Sequence, residues 1–198
     1  MRELGPASEN DVVLSFLRAE IDSQRFGRIY EQFFAQLGAS RAIIDHPDLG
    51  SERENTIRRD LLMAVRGYGH DAYLFPGFPR DVAWRKVALT LEDFTNFRYA
   101  NFRTWIILTN GSRRVLDGAQ NIDSIKAPEN VNEHIKAVAE EVRKGKRYPE
   151  LIAVQGRNDE IILVEGHTRA TAYVVAQLAE SIYCLIGSSP AMNDWAFY

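Results

Sequence analysis

The sequence predicts an α/β (α+β) protein, with a helical N-terminal extension ahead of a module built from a small mixed sheet and packed helices. Three observations carry that prediction. Apolar residues recur at three- and four-residue spacings across 9–37, 51–66 and 128–144, the period of a helix with one buried face. Short apolar runs of strand length stand at 151–154, 161–164 and 181–186. Between the last two runs the chain breaks at Gly166 and resumes with helix-compatible small residues, so 148–187 reads as strand, turn, strand, helix, strand.

The bulk numbers bound the function class. At 198 residues the chain is one large domain or two small ones, long enough to bury a core. Hydrophobic residues at 45% and charged residues at 26% exclude disorder. A net charge of −3 lacks the basic footprint of a duplex binder, which disfavours DNA as a partner. The single cysteine, Cys184, excludes an intrachain disulfide and a cysteine-based metal site. The first residues have no apolar signal region, and no apolar run approaches the ~20 residues that span a bilayer. A cytoplasmic protein with no membrane partner is expected.

The elements follow in order. Val13, Phe16, Leu17 and Ile21, then Ile29, Tyr30, Phe33, Phe34 and Leu37, give 9–37 a helical face that Gly38 closes. Ser51 with Glu54 three residues on is a capping box, opening a helix with Ile57, Leu61, Leu62 and Val65 on one side and its end at Gly67 or Gly69. Trp84–Leu91 alternates as a strand, with Val87, Leu89 and Leu91 on one face. Tyr99–Leu108 fits helix or strand. A boundary near residue 112 divides a mainly helical region, 1–112, from a second module, 113–198. Pro128 begins a helix whose buried face carries Val131, Ile135, Val138, Ala139 and Val142. Strands at Leu151–Val154 and Ile161–Val164 flank a turn at Gly156-Arg157-Asn158-Asp159. A helix at 170–179 and a strand at Ser181–Ile186 complete the module.

The junction Leu163-Val164-Glu165-Gly166-His167-Thr168-Arg169 is where chemistry is expected. A helix's first turn has backbone N–H groups without intrahelical partners and a partial positive charge, so it receives anions. Gly166 lets a ligand approach the backbone, and Arg169 adds a charge with fork geometry. Glu165, at the end of the strand, would hold Mg²⁺ or take a proton from a hydroxyl. The same residues also fit a tight turn with a surface ion pair. Glu129, ahead of the neighbouring helix, is either a second base or an acidic residue suited to the helix dipole.

With Ala172, this string resembles the signature of the ParB/sulfiredoxin-like superfamily, and the similarity runs from Asp123 to Gly187. Sulfiredoxins carry a catalytic cysteine after the glycine, where this chain has His167. The partition branch binds CTP with a Gly-x-Arg-Arg-x-x-Ala element, and here Thr168 replaces the first Arg. Free-serine kinases of the fold carry Asp-Gly-His-His-Arg, which Glu165-Gly166-His167-Thr168-Arg169 resembles most. That resemblance implies ATP or ADP, or another nucleoside triphosphate, with Mg²⁺. Gly166, His167, Thr168 and Arg169 would bind the nucleotide, Glu165 would bind the metal, and Glu165, His167 and Glu129 would be catalytic. The expected ligands are a nucleotide and a small-molecule hydroxyl acceptor, with a homo-oligomer through the N-terminal helices as a further expectation. The alternative within the resemblance is a non-catalytic nucleotide-responsive or DNA-associated module.

Overall fold

A computed structural model describes residues 1–158 and 160–198. It is organised around one six-stranded mixed sheet. The strands are β1 (Arg2–Ala7), β2 (Ala83–Leu89), β3 (Phe97–Tyr99), β4 (Leu151–Gln155), β5 (Ile161–Glu165) and β6 (Ile182–Ser188). Their spatial order is β1-β2-β6-β4-β5-β3. Pairs β1/β2, β2/β6 and β4/β5 are antiparallel, while β4/β6 and β3/β5 are parallel.

The central strands are apolar on both faces because both faces are covered. Ile152, Val154, Ile162, Val164 and Leu185 enter a core built with α1 (Glu9–Glu20), α2 (Gly27–Gln36), α3 (Ala42–Asp45) and α4 (Glu52–Arg66). Leu151, Ala153, Leu163, Cys184 and Ile186 enter the opposite core. There they meet α6 (Val115–Gln120), α7 (Val131–Arg143) and α8 (His167–Ala176), with the short α5 (Arg103–Leu108) at the margin. No helix among the described residues is long and apolar enough to cross a membrane.

The mixed sheet with packed helices agrees with the sequence reading, and so does the β4-β5-α8-β6 order. The N-terminal region departs from it. Residues 2–99 supply three strands of the sheet, so the helical extension is incomplete as a description. Strand β1 contains Gly5 and Pro6, which hide a strand signal and are tolerated because β1 lies at the sheet's edge. The 9–37 segment breaks into α1 and α2, and Gly38 takes φ 59° beyond the second. Ser51 caps α4 by accepting from the Glu54 N–H at 3.3 Å, but Glu54 reaches the Asp48 N–H rather than back to Ser51. Tyr99–Leu108 resolves into both alternatives, the end of β3 followed by α5. Pro128–Asn130 is a separate 3₁₀ turn, with Glu129 and Asn130 at φ 59° and 55°, so α7 begins only at Val131. Of the turn expected at 156–159, Asp159 lies outside the described residues.

Candidate functional site

The β5–α8 junction is shaped by a bulge. Ala153 pairs with Leu163, but the next residue of β4, Ile152, pairs with Glu165, so β5 carries one extra residue there. Directly paired residues share a face of the sheet, and Ile152 lies in the core beneath α1–α4. Uninterrupted alternation would have sent Glu165 to the Leu163 face. The bulge turns it to the side of the N-terminal helices instead.

Gly166 follows at φ 95°, a left-handed conformation that glycine adopts at least cost. A Cβ there would stand 2.5 Å from Leu151 Cδ2 and 2.9 Å from Arg169 Nη2, so the absence of a side chain is also a packing requirement. Because Gly166 offers no capping side chain, the N–H groups of His167, Thr168 and Arg169 enter α8 without a side-chain acceptor.

Arg169 folds back over this turn. Its side chain is only 8% exposed, and its Nη2 reaches Glu165 Oε1 at 3.3 Å and the Glu150 carbonyl at 3.4 Å. Both contacts are long for charged hydrogen bonds. Its Nε is buried with no hydrogen-bond partner among the described residues. A buried guanidinium with an unmet donor is costly in a dry site and retains capacity for an anion.

Two further charged residues reach the junction from the helical layer. Glu20, at the end of α1, is 5% exposed and accepts from the Tyr30 hydroxyl at 2.8 Å. Arg66, the last residue of α4, brings its Nε to 3.4 Å from Glu20 Oε1, within ion-pair range but outside hydrogen-bond geometry. Arg66 also stacks over Phe26 at 4.5 Å. Burial pushes the Glu20 carboxyl up to about 7, the negative charge of Glu165 adds to the rise, and Arg66 opposes it. The Tyr30 phenol is held well above its usual range, first by burial and then by the Glu20 charge. Glu20, Arg66, Glu165 and Arg169 therefore form two carboxylates and two guanidinium groups at one seam between layers.

His167 is fixed among aromatic rings. Trp105 and Tyr99 stack near-parallel to it at 5.4 and 6.0 Å, with Phe102 tilted at 5.7 Å. Its Nε2 accepts from the Ala100 N–H at 3.3 Å. Burial, with Arg66 and Arg169 nearby, lowers its pKa to about 3, so the ring is neutral at physiological pH. A neutral imidazole accepting at Nε2 carries its proton on Nδ1 and offers a single ring donor.

Of the other two expected residues, Thr168 stays at the junction and Glu129 lies apart. Thr168 is half-buried in the first turn of α8. Glu129 is exposed in the 3₁₀ turn before α7, on the opposite layer from Glu20. It makes no hydrogen bond or ion pair with residues 165–169 among those described. Among the described residues no three His, Cys, Asp or Glu side chains cluster as a ready metal cage. The hard oxygens of Glu165 suit Mg²⁺ held largely by phosphate and water.

Glu20 and Arg66 escaped the sequence reading, which took Tyr30 only as part of a helical face. Glu20 and Arg66 end helices and look like ordinary terminal charges, and only the packing of α1 and α4 on the sheet brings them to Glu165. The aromatic wall came from the segment that fitted either helix or strand. No family model, curated protein or solved structure matches this chain.

Proposed function

We propose that this protein binds a nucleotide, ATP or ADP with Mg²⁺, at the N-terminus of α8 and transfers a phosphoryl group to a small hydroxyl acceptor. The observation that carries the reading is Arg169: a buried guanidinium with an unpartnered Nε, lying over Gly166 beside uncapped backbone N–H groups. Phosphate oxygens are the ligand that would satisfy these donors together. His167, the first residue of α8, keeps a neutral ring donor at Nδ1.

In the transfer, the acceptor hydroxyl oxygen attacks the terminal phosphorus and the bond to the bridging oxygen breaks. The electron pair leaves with the nucleotide. Glu165 takes the hydroxyl proton or holds Mg²⁺, which when bound would neutralise charge on the phosphates. Arg169 releases Glu165 as it turns to phosphate, since its present contacts with the carboxylate and the Glu150 carbonyl are both long.

The paired variants Arg169→Ala and Glu165→Gln test this. Arg169→Ala is expected to weaken nucleotide binding in calorimetry by roughly 1.5–3 kcal/mol, the range for a charged hydrogen bond. Glu165→Gln is expected to keep binding within about threefold and to slow transfer by at least ~100-fold. Unchanged affinity in the first variant removes the nucleotide from this site. Unchanged turnover in the second removes Glu165 from the chemistry.

A further inference from the structure

An opening lies between α1, the 47–49 loop and the sheet. It is a cavity of about 380 Å³, the size range of sites for small molecules. Its apolar wall is Leu14, Pro47, Leu49 and Leu185. Four charged side chains also line it, Asp11, Arg18, Lys86 and Glu150, and their partners decide what ligand it suits.

Two of the four, Lys86 and Glu150, are paired with each other. Glu150 accepts from Lys86 Nζ at 2.8 Å on one oxygen and from the Ser15 hydroxyl at 3.0 Å on the other. That satisfies both carboxylate oxygens, neutralises Lys86, and holds the Glu150 carboxyl below its usual range despite burial. Asp11 receives the Ser8 N–H at 2.7 Å and the Ser8 hydroxyl on one oxygen, Oδ2, as the reciprocal half of the α1 capping box, so its charge stays at the helix start, about two turns from Arg18. Arg18 differs. Its Nε is fixed on the Ile44 carbonyl at 3.2 Å, while Nη1 and Nη2 have no partner among the described residues. The cavity thus presents one anchored guanidinium with free donors above an apolar wall.

The floor of the cavity is in register with the junction. Lys86 pairs with Leu185, Leu185 with Ile152, and Ile152 with Glu165, so one row of paired residues crosses four strands. At about 4.8 Å per strand, Leu185 lies roughly 10 Å from Glu165 along that row. Glu150 lines the cavity with its carboxylate and meets Arg169 through its carbonyl at 3.4 Å.

We propose that this cavity binds a small organic acid, its carboxylate on the free edge of Arg18 and its short apolar body against Leu14, Leu49 and Leu185. Binding stands on the cavity alone. Use of that acid, where it carries a hydroxyl, as the phosphoryl acceptor rests on the function proposed above.

The test is calorimetric titration of the full chain with butyrate and 3-hydroxybutyrate, with butylamine and butanol as controls. The acids are expected to bind with a Kd of about 1 mM or tighter, and the controls not to bind. Arg18→Gln, at an exposed position, is expected to weaken acid binding at least tenfold, with the fold retained despite the lost bond to the Ile44 carbonyl and with unchanged nucleotide binding. Leu49→Trp, which fills the cavity from its loop, is expected to block the acids as well. Failure of both acids to bind, equal binding of the amine or alcohol, or undiminished binding by Arg18→Gln each overturns the proposal. Acid binding without any nucleotide binding keeps this site and removes the function proposed above.

Discussion

At the scale of single residues, Glu20 has a measurable consequence for stability. Its folded-state carboxyl is raised to about 7 from an ordinary 4.5. Between those pH values the folded chain holds a proton that the unfolded chain releases. Stability from this group is therefore full below the lower value and is lost as pH rises through the window, by about 3 kcal/mol in all. Glu20→Gln is expected to remove that slope, because Gln keeps an acceptor for Tyr30 without a charge to bury. Urea unfolding at pH 4.5, 6 and 7.5 reads the effect, and an identical pH slope in the two proteins would refute the assignment to Glu20. His167 acts in the opposite direction: its pKa of about 3 in the fold lies below the ordinary 6.5, so only the unfolded chain takes up a proton as pH falls through 6.5. Stability from this group therefore rises with pH; it is common to both proteins and cancels in the comparison with Glu20→Gln.

At the scale of elements, the junction works because a bulge, a left-handed glycine and a helix start follow one another in the chain. Each was visible to a different degree. Gly166 and the presence of a helix after it were legible, because a buried apolar run ending at a glycine before small residues is a local signal, although α8 starts at His167, three residues before the 170–179 expected. The bulge was not, because it is defined by the pairing of Ile152 with Glu165 across β4 and β5. Without it, Glu165 would face the layer opposite Glu20 and Arg66. Gly166→Ala tests the element as a whole. The substitution meets a φ of 95° and the Leu151 and Arg169 side chains. It is expected to cost about 1–3 kcal/mol of stability and to lower nucleotide affinity by displacing Arg169. A variant as stable as the parent in denaturant titration would mean that the turn relaxes and that Arg169 is not held by it.

At the scale of the whole molecule, the sheet is shared. Strands from residues 2–99 stand at both edges and next to one of them, and strands from 151–188 fill the middle. Each core takes side chains from both halves of the chain. Unfolding is expected to be one transition, with the fluorescence of Trp84, Trp105 and Trp195 coinciding with far-ultraviolet circular dichroism. Trp84 and Trp195 report on the core beneath α1–α4 and Trp105 on the other. Two separated transitions would instead divide the chain near residue 112.

What the sequence determined by itself is the set of features written in neighbouring residues. The helical periods of α1, α4 and α7, the apolar runs of β4, β5 and β6, and the glycine turn at Gly166 all depend on spacings of a few positions. Tertiary structure decided what depends on distant partners. It placed β1 as an edge strand despite Gly5 and Pro6, split Tyr99–Leu108 between strand and helix, and left Glu129 exposed away from the motif. It also gathered Glu20, Arg66, Glu165 and Arg169 at one seam. The physical reason is common to these cases: strand pairing and charge burial are properties of surfaces that meet only after the chain has folded, and local periodicity carries no record of which surfaces those are.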